Sequence, residues 1–209
     1  LQAARWCASR SSPTTVEHVM GEFPDVNLAV LDGGPCTGGI ESTIVKINST
    51  TGKTVNLSLL RKGLLAPEQI ENTLKKNNFI VEWSIAKGIQ APGQIQHHYM
   101  PSTPLVICQN ETLNKSELLD QIEKRFSELP DVVEGIEMIK PVFPVENITE
   151  LHLSKDPVMA ARQLYSQLRK ASEAENTQLI LWKQNSDLDS PLWESILERL
   201  HKAASLIIK

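Results

Sequence analysis

The sequence is poor in cysteine. It has three, Cys7, Cys36 and Cys108, odd in number and far apart. No Cys-x-x-Cys spacing suggests a zinc site, and no paired framework suggests a disulfide scaffold. The three read as free thiols of a reducing compartment, so we expect a cytoplasmic location. Long apolar runs are also missing. None approaches the roughly 18 residues that a membrane span needs, so no membrane partner is expected. An excess of positive charge is lacking too: 21 Lys and Arg stand against 25 Asp and Glu, for a net charge of −4. Without a global basic footprint, tight non-specific nucleic-acid binding is not indicated. What remains is ordinary for a globular protein, 41% apolar and 22% charged. A chain of 209 residues forms one large or two small domains.

The most informative stretch runs from Asp32 to Val45: Asp-Gly-Gly-Pro-Cys-Thr-Gly-Gly-Ile-Glu-Ser-Thr-Ile-Val. Two glycine pairs flank a proline, and a β-branched, strand-like run follows. The loop ends on Glu41, Ser42 and Thr43, a charge and two hydroxyls delivered to the start of a strand. Small-molecule sites are commonly built this way. It is not a Walker A loop, because no Gly-Lys-Ser/Thr follows, and not a dinucleotide fingerprint, because a strand rather than a helix comes next. A plain tight turn between two strands is the other reading.

Elsewhere the pattern is mixed. Ser12 before Pro13 predicts a helix start, with Gly21 ending the helix. Residues 27–31 read as an apolar strand. Residues 43–47 and 54–60 form a hairpin around a glycine-containing loop. A helix over 66–77 and a strand over 79–83 follow. Residues 84–104 lose all periodicity and carry Gly88, Pro92, Gly93, Pro101 and Pro104, which marks a linker. Beyond it, strands at 105–108, 149–153 and 178–182 alternate with helices at 116–129, 157–171 and 191–204. Asp156 and Ser190 are the caps, and Met159, Leu164 and Leu168 are the inward positions of the second helix. Residues 132–139 are ambiguous. Alternation of this kind predicts a small, mostly parallel sheet.

Four segments in order carry a resemblance: Ser12-Pro13-Thr14, the Asp32–Val45 stretch, Leu60-Arg61-Lys62-Gly63, and the run from Ala91 to Pro101 that contains His97-His98-Tyr99. The chain resembles the YrdC/TsaC family, in particular its longer, two-domain Sua-type threonylcarbamoyl-AMP synthases. The likeness is plainest over residues 9–101. It implies an α/β fold: an incomplete YrdC-like twisted sheet with helices, joined by a linker to a small Rossmann-like α/β domain. The expected boundaries are residues 1–84 for the C-terminal part of the catalytic domain, 85–104 for the linker that covers the active site, and 105–209 for the Sua-type C-terminal domain. The closing helix, Glu198-Arg199-Leu200 to Ala203-Ala204, resembles the end of that second domain.

The resemblance implies a nucleotidyltransferase. It would make threonylcarbamoyl-AMP and pyrophosphate from L-threonine, bicarbonate and ATP, with Mg²⁺ as the companion of ATP, and its product would feed the tRNA-modification machinery. RNA is a further possible partner, since the family has been associated with double-stranded RNA binding. A non-catalytic nucleotide- or RNA-binding regulatory module is the alternative. By the same resemblance Ser42 would contact threonine, while Ser12, Arg61 and Tyr99 would contact ATP. Each has a blander reading. Ser42 could bond its own backbone at a strand edge, Ser12 could be a plain cap, Arg61 a solvated strand end, and Tyr99 an anchor for the linker. The chain also departs from the family. Lys62 replaces a proline, Ile95 and His97 replace basic residues, and Cys7 and Ser9 stand where the family has serine and asparagine. A metal pair at His97-His98 has no neighbouring acid or thiol. Asp187, Asp189, Glu194, Arg169 and Lys170 read as ordinary turn, helix-start and helix-end residues.

Overall fold

The computed structural model describes residues 11–86, 88, 98–110, 112–133 and 136–209. Expectations placed on Cys7, Ser9, His97 and the linker at 89–97 lie outside these residues. The fold is a mixed α/β arrangement of three sheets and five helices among the described residues.

The first part of the chain holds α1 (Val16–Glu22), β1 (Ile44–Thr51), β2 (Thr54–Arg61), α2 (Pro67–Lys76) and β3 (Ile80–Trp83). Thr51 pairs with Thr54, so β1 and β2 are antiparallel and joined by Gly52-Lys53. Gly52 has φ +59°, which a two-residue hairpin loop demands and glycine supplies at no steric cost. α2 carries the chain back to β3, which lies parallel to β2. Pro67 opens α2, and Lys75 and Lys76 sit in its last turn, where cations complement the helix dipole.

Three expectations fail here. Residues 27–31 form no strand. They pair with no described residue, and Leu28, Val30 and Leu31 are exposed, Leu31 by 98%. An apolar sequence becomes a strand only beside a partner that satisfies its backbone. Nor is Ser12 the cap of α1. Thr15 is, its hydroxyl accepting from the His18 amide at 3.3 Å. The Ser12 hydroxyl is drawn instead to a carboxylate 29 positions away. Gly21 lies inside α1, which ends at Glu22.

The second part holds β4 (Leu105–Cys108), α3 (Lys115–Glu128), β5 (Val132–Val133), β6 (Ile136–Glu137), β7 (Ile148–Glu150), α4 (Pro157–Glu173), β8 (Leu179–Lys183), α5 (Pro191–Ala203) and β9 (Leu206–Ile208). Strands β7, β8, β4 and β9 form one sheet in that order, with every pair parallel. The two-residue period of the strands divides the core. Leu105, Ile107, Ile180 and Trp182 face α4 and α5, while Val106, Cys108, Leu179 and Leu181 face α3. Parallel strands covered on both faces read as continuous apolar runs, as these do. The ambiguous stretch at 132–139 is the small β5–β6 hairpin, and β9 is an unanticipated closing strand.

Caps define these helices. Asp156 accepts from the Val158 and Met159 amides, and Ser190 from the Trp193 amide. Asn114 forms a capping box with Glu117 on α3. Asn114→Ala should therefore lower stability by about 1 kcal/mol, read as a shifted urea midpoint with an unchanged slope. Met159 faces outward, 39% exposed. The inward stripe of α4 is Ala160, Ala161, Leu164, Tyr165, Leu168 and Ala171. No helix among the described residues is long and apolar enough to cross a membrane.

Candidate functional site

The glycine loop docks onto the second part of the chain. Gly39 has φ +72°, and a Cβ there would stand 2.3 Å from the Ala161 carbonyl oxygen and 2.4 Å from the Arg162 Cα. Its backbone thus lies on α4 itself. The close approach that glycine allows serves a helix here, not a ligand. Ile40 then enters the core beside Leu164 and Trp193.

Glu41 follows, and three side chains converge on it. Its carboxylate accepts from the Ser12 hydroxyl at 2.5 Å, from the Tyr165 hydroxyl at 2.9 and 3.0 Å, and from Arg199 Nε at 2.8 Å. Burial pushes the Glu41 carboxyl up, but the Ser12 bond and the Arg199 charge outweigh it and hold the group below its ordinary range. Tyr165 is driven far up by burial and by the Glu41 charge, so its phenol stays protonated and donates.

Ser42 stands next, exposed. Ile44 pairs with Arg61, and a bulge between Ile44 and Val45 turns the strand start. Antiparallel pairing thereby sets the end of β2 beside the loop's last residues. Arg61 donates from Nε to the Ser42 carbonyl at 3.0 Å and from a terminal nitrogen to the Ser42 hydroxyl at 3.3 Å. Its guanidinium also bonds the Tyr99 hydroxyl. Tyr99 has φ +67°, rare for a bulky residue and a conformation that surrounding structure must enforce. Its carbonyl accepts from the Ser11 hydroxyl, and its ring packs 5.6 Å from that of Tyr165. It is 2% exposed. His98 stacks edge-on against it at 4.0 Å, with Nδ1 buried and bonded to no described residue. Burial and the Lys202, Arg61 and Arg199 cations lower its pKa from 6.5, while Glu41 opposes them, so the ring is neutral at pH 7.

Ser42, Arg61 and Tyr99 are therefore in one place, and Ser12 joins them through Glu41. Three further members were not anticipated. Tyr165 and Arg199 look like routine helix residues in sequence, and Arg169, read as a bland helix-end cation, ties α4 to the Ser11 carbonyl and to Glu22. The signal was available: Tyr165 and Arg199 fall in the apolar stripes of their own helices. Glu194, read as a helix-start residue, also pairs with Lys62 at 2.6 Å. A cleft of about 440 Å³ is lined by Ser11, His18, Glu22, Met100 and Arg169, and its lining includes neither Ser42 nor Arg61. Among the described residues no three His, Cys, Asp or Glu side chains cluster as metal ligands.

A family model for the C-terminal domain of threonylcarbamoyl-AMP synthase matches residues 65–205. The chain belongs to this family. It is 27% identical over 222 positions to the threonylcarbamoyl-AMP synthase of Schizosaccharomyces pombe, covering 97% of this chain and 51% of that one. The Bacillus subtilis enzyme of the same name is 27% identical over 124 positions, with 56% and 33% covered. That of Pyrococcus abyssi is 27% identical over 123 positions, with 58% and 35% covered. The chain thus spans about half of the first relative's length and about a third of the other two. Among solved structures, P. abyssi Sua5 complexed with L-threonine aligns at TM-score 0.62 and 22% identity, covering 96% of this chain and 57% of that one. A P. abyssi Sua5 variant with a histidine and a tyrosine replaced by alanine aligns at 0.58 and 20%, covering 97% and 54%. At such identities the likeness is one of fold.

Proposed function

We propose that this chain supplies part of the active site of a threonylcarbamoyl-AMP synthase. In the reaction the amino nitrogen of L-threonine bonds to the carbon of bicarbonate, and the bicarbonate hydroxyl leaves with an amine proton as water. The carbamate oxygen then bonds to the α-phosphorus of ATP, and pyrophosphate leaves. The observation that carries this reading is the meeting of Ser42 and Arg61. An exposed hydroxyl suits a threonine carboxylate, and a guanidinium fork beside it suits a phosphate. Tyr99 steadies Arg61, and Ser12 acts through Glu41. The threonine complex of the P. abyssi neighbour supports the substrate. Mg²⁺ has no protein cage among the described residues and would arrive on the nucleotide phosphates. In this reading residues 1–84 complete the catalytic domain, 85–104 cover it and 105–209 are the accessory domain. The product serves tRNA modification in the cytoplasm.

Calorimetry tests it. ATP with Mg²⁺ and L-threonine should bind the 209-residue chain, and Arg61→Ala should weaken ATP at least tenfold. That is the loss expected for a charge-assisted hydrogen bond of roughly 1.5–3 kcal/mol. Ser42→Ala should weaken threonine alone. No heat at millimolar ligand would withdraw the reading for this chain.

A further inference from the structure

Arg199 is 2% exposed and has its guanidinium inside the protein. Besides Glu41 Oε2 it bonds three carbonyls. One terminal nitrogen donates to Ser195 at 2.8 Å, and the other to Lys62 at 2.8 Å and to Glu41 at 3.3 Å. Glu41 immediately precedes Ser42, and Lys62 immediately follows Arg61. One planar fork thus grips both chain segments that carry the site. A second fastening lies beside it. The Ser195 hydroxyl donates to the Gly63 carbonyl at 3.0 Å. A Cβ on Gly63 would come within 2.3–2.6 Å of Thr43 N, Ser42 C and Glu41 O, so the two segments touch backbone to backbone under the end of α5.

Docking of α5 does not require this arginine. Trp193, Ile196, Leu200 and Ala203 already bury its apolar face, and a buried charge is costly to desolvate. What an apolar side chain could not do is hold two carbonyls from different segments in one plane. We propose that Arg199 is a positioning residue. From the accessory domain it sets the spacing of residues 41–43 and 61–63, and so lets Arg61 meet Ser42. The role in substrate binding rests on the synthase reading above, whereas the clamp on the two segments does not.

The test uses Glu41→Gln/Arg199→Met, which removes both charges and leaves an amide oxygen for Ser12 and Tyr165. Amide exchange should quicken at least fivefold in residues 40–45 and 59–63 and stay unchanged in β4 and β8. In a parent chain that binds ATP with Mg²⁺ and threonine, affinity should fall at least tenfold. Should the double variant not fold, Arg199→Lys keeps the charge opposite Glu41 but loses the fork, and the same local exchange is expected. Unchanged exchange in both segments overturns the clamp, whatever the ligands do. Quickened exchange with unchanged affinity overturns its role in binding. A parent that binds neither ligand sinks the synthase reading alone, and exchange then decides for or against the clamp.

Discussion

Arg199→Met should lower the unfolding free energy at pH 7 by about 3–5 kcal/mol, the usual cost of removing one partner of a buried ion pair. For a chain of 209 residues that is a fall in Tm of roughly 6–20 °C. Methionine fills the space well enough. The loss comes from Glu41, left largely buried without its cation and bonded by the Ser12 and Tyr165 hydroxyls. Its pKa gives the loss a pH signature. In the parent the folded carboxyl titrates below its ordinary 4.5, with burial raising it and Ser12 and Arg199 together lowering it further. A depressed carboxyl contributes stability that is present above the unfolded pKa and is lost as pH falls through the folded one. Without Arg199 the folded pKa rises, and the ionised form loses its advantage. The gap between parent and variant should therefore narrow as pH falls from 7 toward 3. Urea midpoints at several pH values measure it. A gap that stays constant would place the effect in packing and not in the Glu41 charge.

Local chemistry made much of this fold legible. Pro67 with two lysines at the far end of the helix marks α2, Asp156 and Ser190 precede prolines that open α4 and α5, and the apolar tetrads Leu105–Cys108 and Leu179–Trp182 mark β4 and β8. These signals act over a few residues and survive any tertiary context. The failures all involve partners far away in sequence. Residues 27–31 carry a strand's composition, but strand formation depends on a neighbour. Ser12 has a cap's composition, yet Glu41 competes for its hydroxyl and Thr15 caps instead. The inward face of α4 was placed one residue out of phase at Met159. The site shows the same division. Ordered motifs single out Ser42, Arg61 and Tyr99, which the fold brings together. They do not single out Tyr165 or Arg199, although each interrupts an apolar stripe: Tyr165 beside Leu164 and Leu168, Arg199 between Ile196 and Leu200. A polar residue at such a position must find partners inside the protein, and both find Glu41.

Gly39→Ala should be nearly as damaging as the loss of Arg199, while Gly34→Ala should be mild, although both glycines have a similar positive φ. Gly34 has φ +81° and Gly39 φ +72°, where an L side chain costs about 1–2 kcal/mol. Among the described residues nothing lies within 4 Å of a Cβ at Gly34, so that strain is the cost counted there. At Gly39 the added carbon would meet the Ala161 carbonyl oxygen at 2.3 Å and the Arg162 carbonyl oxygen at 2.5 Å. Both are backbone atoms of α4 and cannot rotate away. Overpacking adds about 1–3 kcal/mol, so Gly39→Ala should cost about 2–5 kcal/mol in all. The site would suffer with it. The loop must lift off α4, which draws Ile40 out of the core and carries Glu41 away from Tyr165 and Arg199. Thermal unfolding of the two variants side by side, with ATP affinity measured on each, separates the contributions. Equal and small losses would mean that the loop does not rest on α4. A large loss at Gly39 alone, in stability and in affinity together, would mean that the seat of the loop on α4 shapes the face where Ser42 and Arg61 meet.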